Sequence, residues 1–164
     1  MTDSVLNRLR QRFEPQIRRV LHVYWRLARG MTFGVRGIVL DPAGRIFLVK
    51  HTYVSGWHLP GGGVEVGETA SQSLERELRE EGNLALDGTP QLHGLFFNRR
   101  VSRRDHVAVY VVRQFRQLGV PEPNHEIVAT GFFAVDALPE DTTRGTRARI
   151  REVVEGVAPS ADWS

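Results

Sequence analysis

Trp57-His58-Leu59-Pro60-Gly61-Gly62-Gly63-Val64-Glu65-Val66-Gly67-Glu68 leads directly into residues 69–84, and this junction decides the fold. Three consecutive glycines make a poor helix and a poor strand interior, but they let backbone approach a ligand closely. Immediately afterwards Thr69 and Gln72 stand three apart, the spacing of a capping box that starts a helix. Ala70, Leu74 and Leu78 then recur at i, i+4 and i+8, one buried stripe. On the same helix, at about 100° per residue, Glu81 lies about 40° from Glu77, and Glu80 about 60° on its other side. Three carboxylates within one turn repel each other unless a cation joins them. Hard divalent cations favour such oxygen ligands, often shared with substrate phosphates. Taken alone, the run Glu75-Arg76-Glu77-Leu78-Arg79-Glu80-Glu81 also fits an ordinary solvated helix face.

Outward from this segment, short apolar runs predict strands at residues 34–40, 45–50, 92–97, 106–115 and 127–135. The first two flank the turn Asp41-Pro42-Ala43-Gly44, which reads as a hairpin. Helices are expected at residues 69–82 and 141–156. Strands and helices mixed within one unit predict an α/β fold. Residues 1–30 form a separate segment. Val5, Leu9, Phe13, Ile17, Val20 and Tyr24 trace an amphipathic helix, with Pro15 set to kink it near Glu14. Such a helix can cover a core, join a homodimer or lie on a membrane; a membrane role lacks a second anchoring signal. The expected organisation is a basic helical segment at 1–30, a catalytic-type domain at 31–158 and a tail at 159–164.

Composition narrows the function classes. The chain has 164 residues, 41% hydrophobic and 25% charged, ordinary values for one globular domain. It has no cysteine, hence no disulfide, thiolate metal site or cysteine nucleophile. Arginines interrupt any apolar run near the N-terminus, so no secretory signal is expected, and the cytoplasm is the default location. Residues 1–30 hold seven Arg against Asp3 and Glu14, a net of +5. The chain total is +3, so residues 31–164 sum to −2 and the body is not a basic nucleic-acid surface. Lys50 is the only lysine; the arginine bias fits either phosphate recognition or genomic base composition.

Joined at its fixed spacing, the glycine loop and acidic helix resemble the Nudix box, G-x5-E-x7-R-E-U-x-E-E-x-G-U with U aliphatic. The matching residues are Gly62, Glu68, Arg76, Glu77, Leu78, Glu80, Glu81 and Leu84. Six fixed positions agreeing by chance is on the order of one in a hundred thousand for a chain of this size. One position departs: the late glycine falls at Asn83, preceded by Gly82. Asparagine is the next best left-handed residue at a helix end, so the terminus is expected to survive. Beyond the box, Trp57–Gly62 is similar to the family's lead-in, and residues 126–139 to its late strand and turn.

The resemblance implies an α/β/α sandwich with a mixed sheet, and Mg²⁺- or Mn²⁺-dependent hydrolysis of a nucleoside diphosphate linked to another moiety. By the same resemblance Glu77, Glu80 and Glu81 bind metal with the Gly61 carbonyl. Glu68 and Arg76 orient that cluster. The base that takes the water's proton is Glu77 or Glu80 within the box, or Glu126, beside His125, outside it. His58, Arg99, Arg100 and Phe97 are candidate substrate contacts. Tyr53, Trp57 and Phe96 are aromatics that either stack on a base or fill the core. His106 is expected to be structural or substrate-contacting. The proline and tyrosine that accompany ADP-ribose and dinucleoside polyphosphate hydrolases are missing, so substrate identity stays open. A nucleoside triphosphate pyrophosphohydrolase and a non-catalytic nucleotide-binding module are the rival readings, the second disfavoured by the intact glutamates.

Overall fold

A computed structural model describes residue 24, residues 30–121 and residues 125–163. The chain divides into two units, Met1–Met31 and Thr32–Ser164, and the fold reported is that of the second. The helix expected at the N-terminus, its kink and any dimer contact through it lie outside the described residues, apart from Tyr24.

The strands are β1 (Thr32–Val39), β2 (Ile46–His51), β3 (Trp57–His58), β4 (Leu84–Leu86), β5 (Gln91–Phe97), β6 (Asp105–Val112), β7 (Phe115–Gln117) and β8 (Ile127–Phe133). Two helices accompany them, α1 (Ala70–Gly82) and α2 (Arg144–Glu155). One sheet has the order β1-β6-β5, with β1 parallel and β5 antiparallel to β6. The second, β3-β2-β8, is antiparallel, and β4 pairs with β7 alone.

Strands β1 and β2 read as near-continuous apolar runs because both of their faces are buried. Val35 and Val39 of β1, with Phe47 and Val49 of β2, meet Leu74 and Leu78 of α1. Ile38, Ile46 and Leu48 point the other way, into a second core with Ile150 of α2. The result is the expected α/β/α layering. Leu74 and Leu78 are fully buried, each stabilising the α1 layer by about 2 kcal/mol. Helix α1 begins where the capping box put it, with Thr69 Oγ1 accepting from the Gln72 amide and Gln72 accepting from the Thr69 amide.

Three expectations are corrected. The turn at Asp41–Gly44 does not join a hairpin: β1 and β2 share one bridge, Leu40 with Ile46, and then enter different sheets. The cause is that β1 spends its backbone groups elsewhere, on β6 along one edge and on the glycine loop along the other. The strand expected at 106–115 is broken between Val112 and Phe115, where the Gln114 carbonyl accepts from Asp87 and the chain turns to pair with β4. Residues 160–163, expected as a tail, dock on β5. Phe97 N–H donates to the Ala161 carbonyl at 2.9 Å, and Trp163 N–H to the Phe97 carbonyl at 3.0 Å.

Candidate active site

The glycine loop lies along the free edge of β1 as an irregular extra strand. Val35 N–H donates to the Gly62 carbonyl at 2.8 Å, Gly37 N–H to the Pro60 carbonyl at 2.9 Å, and Val64 N–H to the Phe33 carbonyl at 2.9 Å. Between these bonds Gly61 adopts φ +136°, and a Cβ there would overlap the Val35 carbonyl oxygen. Only glycine lets the loop come this close to β1.

Helix α1 presents its acidic face to this loop. Glu81 is buried, and its Oε2 accepts from the Gly61 N–H at 2.7 Å. Burial pushes its carboxyl up to about 7, against the opposing pull of the Arg36 guanidinium and the Gly61 amide. Its other oxygen stands 3.5 Å from His51 Nε2. Burial, with Arg36 nearby, drives His51 down to about 4, so that the imidazole is neutral at physiological pH. Glu77 sits beneath Gly62, where an added Cβ would overlap its carboxylate. Glu80 stays apart: its side chain is 61% exposed and lies 3.5 Å from Arg76 Nη1. The structure thus gathers Glu77, Glu81, Gly61 and Gly62, and leaves Glu80 at the rim. Among the described residues no three acidic or histidine side chains form a ready-made metal cluster.

Arg76 and Glu68 pair with each other beside the glycine loop. Arg76 Nε donates to Glu68 Oε1 at 2.8 Å, its Nη1 to Glu77 Oε1 at 2.8 Å and its Nη2 to the Gly63 carbonyl at 3.1 Å. One guanidinium therefore ties the loop to the helix, and its hydrogen bonds hold the Glu68 carboxyl down to about 2. Glu126 is exposed at the start of β8, 3.5 Å from His125. Its charge adds to the rise at Glu81 and favours protonation of His51.

A cavity of about 810 Å³ opens over this loop. His58 and Arg100, both expected as substrate contacts, line it. Arg99 and Phe97 do not: the Phe97 ring packs on His106 at 5.3 Å, and Arg99 lies over that ring at 5.5 Å. The aromatics separate in the same way. Phe96 is fully buried and Trp57 packs edge-on to Phe133, whereas Tyr53 stands at the cavity rim. Sequence reasoning missed Arg36, His51, Thr143 and Trp163, which also line the cavity. Arg36 Nη1 donates to the carbonyls of Leu59, at 3.1 Å, and Gly61. The signal that could have found it was a lone cation within a strand otherwise buried on both faces.

Comparison with known proteins agrees with this geometry. The NUDIX domain model matches residues 31–154. A MutT-like protein of Streptomyces ambofaciens is 27% identical over 125 residues, covering 76% of this chain and 78% of that protein. An RNA pyrophosphohydrolase of Hydrogenovibrio crunogenus is 40% identical over a shorter stretch of 47 residues, 29% of this chain and 28% of that protein. Among solved structures, a MutT NUDIX hydrolase from Burkholderia pseudomallei superposes with TM-score 0.64 at 28% identity, covering 74% of this chain and 97% of that one. An ADP-ribose pyrophosphatase from Streptococcus suis gives TM-score 0.59 at 25% identity, covering 81% and 96%. The matched span holds β1, the glycine loop and most of α2, which contribute to the cavity lining, and also α1 with its acidic face. The family model's span takes in the loop, the acidic helix and both three-stranded sheets, and the chain belongs to the NUDIX family and is a hydrolase acting on phosphoanhydride bonds.

Proposed function

We propose that the chain is a divalent-metal-dependent pyrophosphohydrolase that cleaves a nucleoside diphosphate linked to a second moiety, such as a nucleotide sugar or an ADP-ribose-like compound. The family acts on nucleotide-derived small molecules, and the finer reading rests on the cavity. Its volume of about 810 Å³ suits a ligand with groups on both sides of a diphosphate. The name of the Streptococcus suis neighbour favours the same class.

The residues present fit a hard divalent ion. Glu77, Glu80 and Glu81 offer carboxylate oxygens, the donor type that Mg²⁺ and Mn²⁺ prefer. The Gly61 carbonyl, which accepts from Arg36 Nη1, would join them only by giving up that bond, Arg36 then keeping the Leu59 carbonyl. Glu81 is moreover a buried carboxylate with, among the described residues, no cation within 4 Å apart from the His51 imidazole, which is neutral. When bound, the metal would supply charge neutralisation and an acidified water. The chain's own groups do the rest. Arg76 fixes the Glu77 carboxylate, and the Gly61 amide fixes that of Glu81. Whichever of Glu77, Glu80 and Glu126 does not ligate the metal takes the proton lost by the attacking water; Glu80 and Glu126 are the exposed ones. The water oxygen bonds to phosphorus as the bridging P–O bond breaks, leaving a nucleoside monophosphate and the phosphorylated second moiety.

Turnover of ADP-ribose, nucleotide sugars, nucleoside triphosphates and dinucleoside polyphosphates with Mg²⁺ or Mn²⁺, with products identified, tests this reading. Preferred cleavage of a diphosphate-linked compound is the expected result; a preference for triphosphates releasing pyrophosphate overturns it. Among the described residues no helix is long and apolar enough to cross a membrane.

A further inference from the structure

Arg36 is a cation on a largely buried strand whose charge acts on the Glu81 carboxylate from beyond ion-pair distance. On β1 it shares a face with Ile38 and Leu40, both in the core beneath α2. Bringing a guanidinium to such a face is costly unless its charge has a partner. Among the described residues no carboxylate lies within 4 Å of it, and its protein hydrogen bonds, to Leu59 and Gly61, both come from Nη1. Its Nε and Nη2 make none among the described residues, yet neither is a buried orphan. Arg36 lines the cavity, so two nitrogens of a pre-set fork are left for whatever enters it.

The remaining charges of the cavity point the same way. Arg100 and Arg144 also line it. Asp105, an acidic residue of the lining, already accepts from Thr32 Oγ1 at 2.7 Å and Asn98 Nδ2 at 2.8 Å. The three arginines of the lining outnumber Asp105, so the cavity carries a net positive charge, with Arg36 the member anchored beside the glycine loop.

We propose that Arg36 is a phosphate-binding residue, gripping a diphosphate through Nε and Nη2 while Nη1 stays on the loop carbonyls. This rests on the cavity being the substrate site, but not on metal or turnover. The substrate class it selects carries phosphoryl oxygens that the protein holds directly, so phosphate binding at this residue does not require a metal.

Calorimetric binding of inorganic pyrophosphate in EDTA tests this on the full chain, with ligand-observed NMR of adenosine as the uncharged control. Arg36→Gln is expected to weaken pyrophosphate binding at least tenfold and leave adenosine binding unchanged. Arg36→Lys, which can still reach the two carbonyls but lacks the fork, is expected to fall between. Three outcomes overturn the proposal: no pyrophosphate binding by the wild-type protein in EDTA, equal binding by Arg36→Gln, or parallel loss of both ligands, which marks Arg36 as a loop clamp only. Metal-dependent hydrolysis is read separately by turnover, so either idea can fail without the other.

Discussion

Gly62 stands directly over the Glu77 carboxylate, so closely that a Cβ there would overlap Oε1. The neighbour that must yield is the end of a flexible side chain, itself held by Arg76 at 2.8 Å. Gly62→Ala should therefore fold, at a cost of about 1 kcal/mol, while displacing Glu77 from Arg76. The expected outcome is a fall in kcat of tenfold or more with a melting temperature within a few degrees of wild type. Unchanged kcat would show that the position of Glu77 is immaterial.

At Gly61 the same substitution meets backbone. A Cβ would overlap the Val35 carbonyl oxygen, and φ is +136°, so neither the neighbour nor the residue can relax. Gly61→Ala is expected to cost about 3 kcal/mol or more and to loosen the loop from β1. Denaturant melts of the two alanine variants side by side check the contrast; equal stabilities would contradict it.

The end of α1 divides between two residues what the family pattern gives to one. Asn83 takes the left-handed conformation, φ 49°, and its N–H closes the helix on the carbonyls of Leu78 and Arg79. Gly82 is instead a packing residue: a Cβ would stand 2.9 Å from Phe47 Cε1. Asn83→Gly should leave stability within about 0.5 kcal/mol, whereas Asn83→Ala and Gly82→Ala should each cost about 1–2 kcal/mol. Thermal unfolding of the three variants decides, and a strongly destabilised Asn83→Gly would refute the division.

Glu68, Arg76, Glu77 and Glu81 were legible in the sequence because the box is local. Helical spacing alone brings its carboxylates to one face, and the glycines announce where backbone must approach. Arg36 and His51 were not legible, since they reach the cavity from two strands that belong to different sheets. The hairpin misreading has the same origin. Asp41–Gly44 is the same turn whether its flanking strands pair or part, and what parts them is the competition of residues 60–64 for β1. Glu80 shows the limit from the other side: its angle on the helix was predicted, but its rotamer leaves it exposed beside Arg76.

That turn has its own pH signature. Asp41 Oδ1 accepts from the amides of Ala43 at 3.0 Å and Arg45 at 2.8 Å, and Oδ2 from Arg45 Nε at 2.7 Å. Burial alone would raise its proton affinity, but these bonds and the Arg45 charge outweigh it and hold the carboxyl below its ordinary value of 3.8. A depressed folded-state pKa gives stability that is present above the unfolded value and lost as the pH falls through the folded one. Asp41→Ala should cost about 1 kcal/mol at pH 7, a gap that narrows only below about pH 4. A gap that stays constant from pH 7 to pH 2.5 would count against the carboxylate as its source.

Trp163 couples the segment after α2 to both core and cavity. Its backbone pairs with Phe97, its indole packs edge-on to Phe96 at 6.1 Å, and it lies so close to Gly145 that a Cβ there would overlap the ring. The Arg149 guanidinium, 3.9 Å above Phe96 and held by Glu152 at 2.6 Å, completes the stack. Removing a half-buried indole from such packing is expected to cost about 2–3 kcal/mol. Because Trp163 lines the cavity on a segment separate from α1 and the glycine loop, Trp163→Ala should raise KM several-fold with kcat within about twofold of wild type, the mark of lost uniform binding. Gly145→Ala, which forces the indole aside while keeping it in the chain, should shift KM in the same direction. If both variants lower kcat and leave KM unchanged, Trp163 acts on the loop and the acidic helix rather than on the ligand.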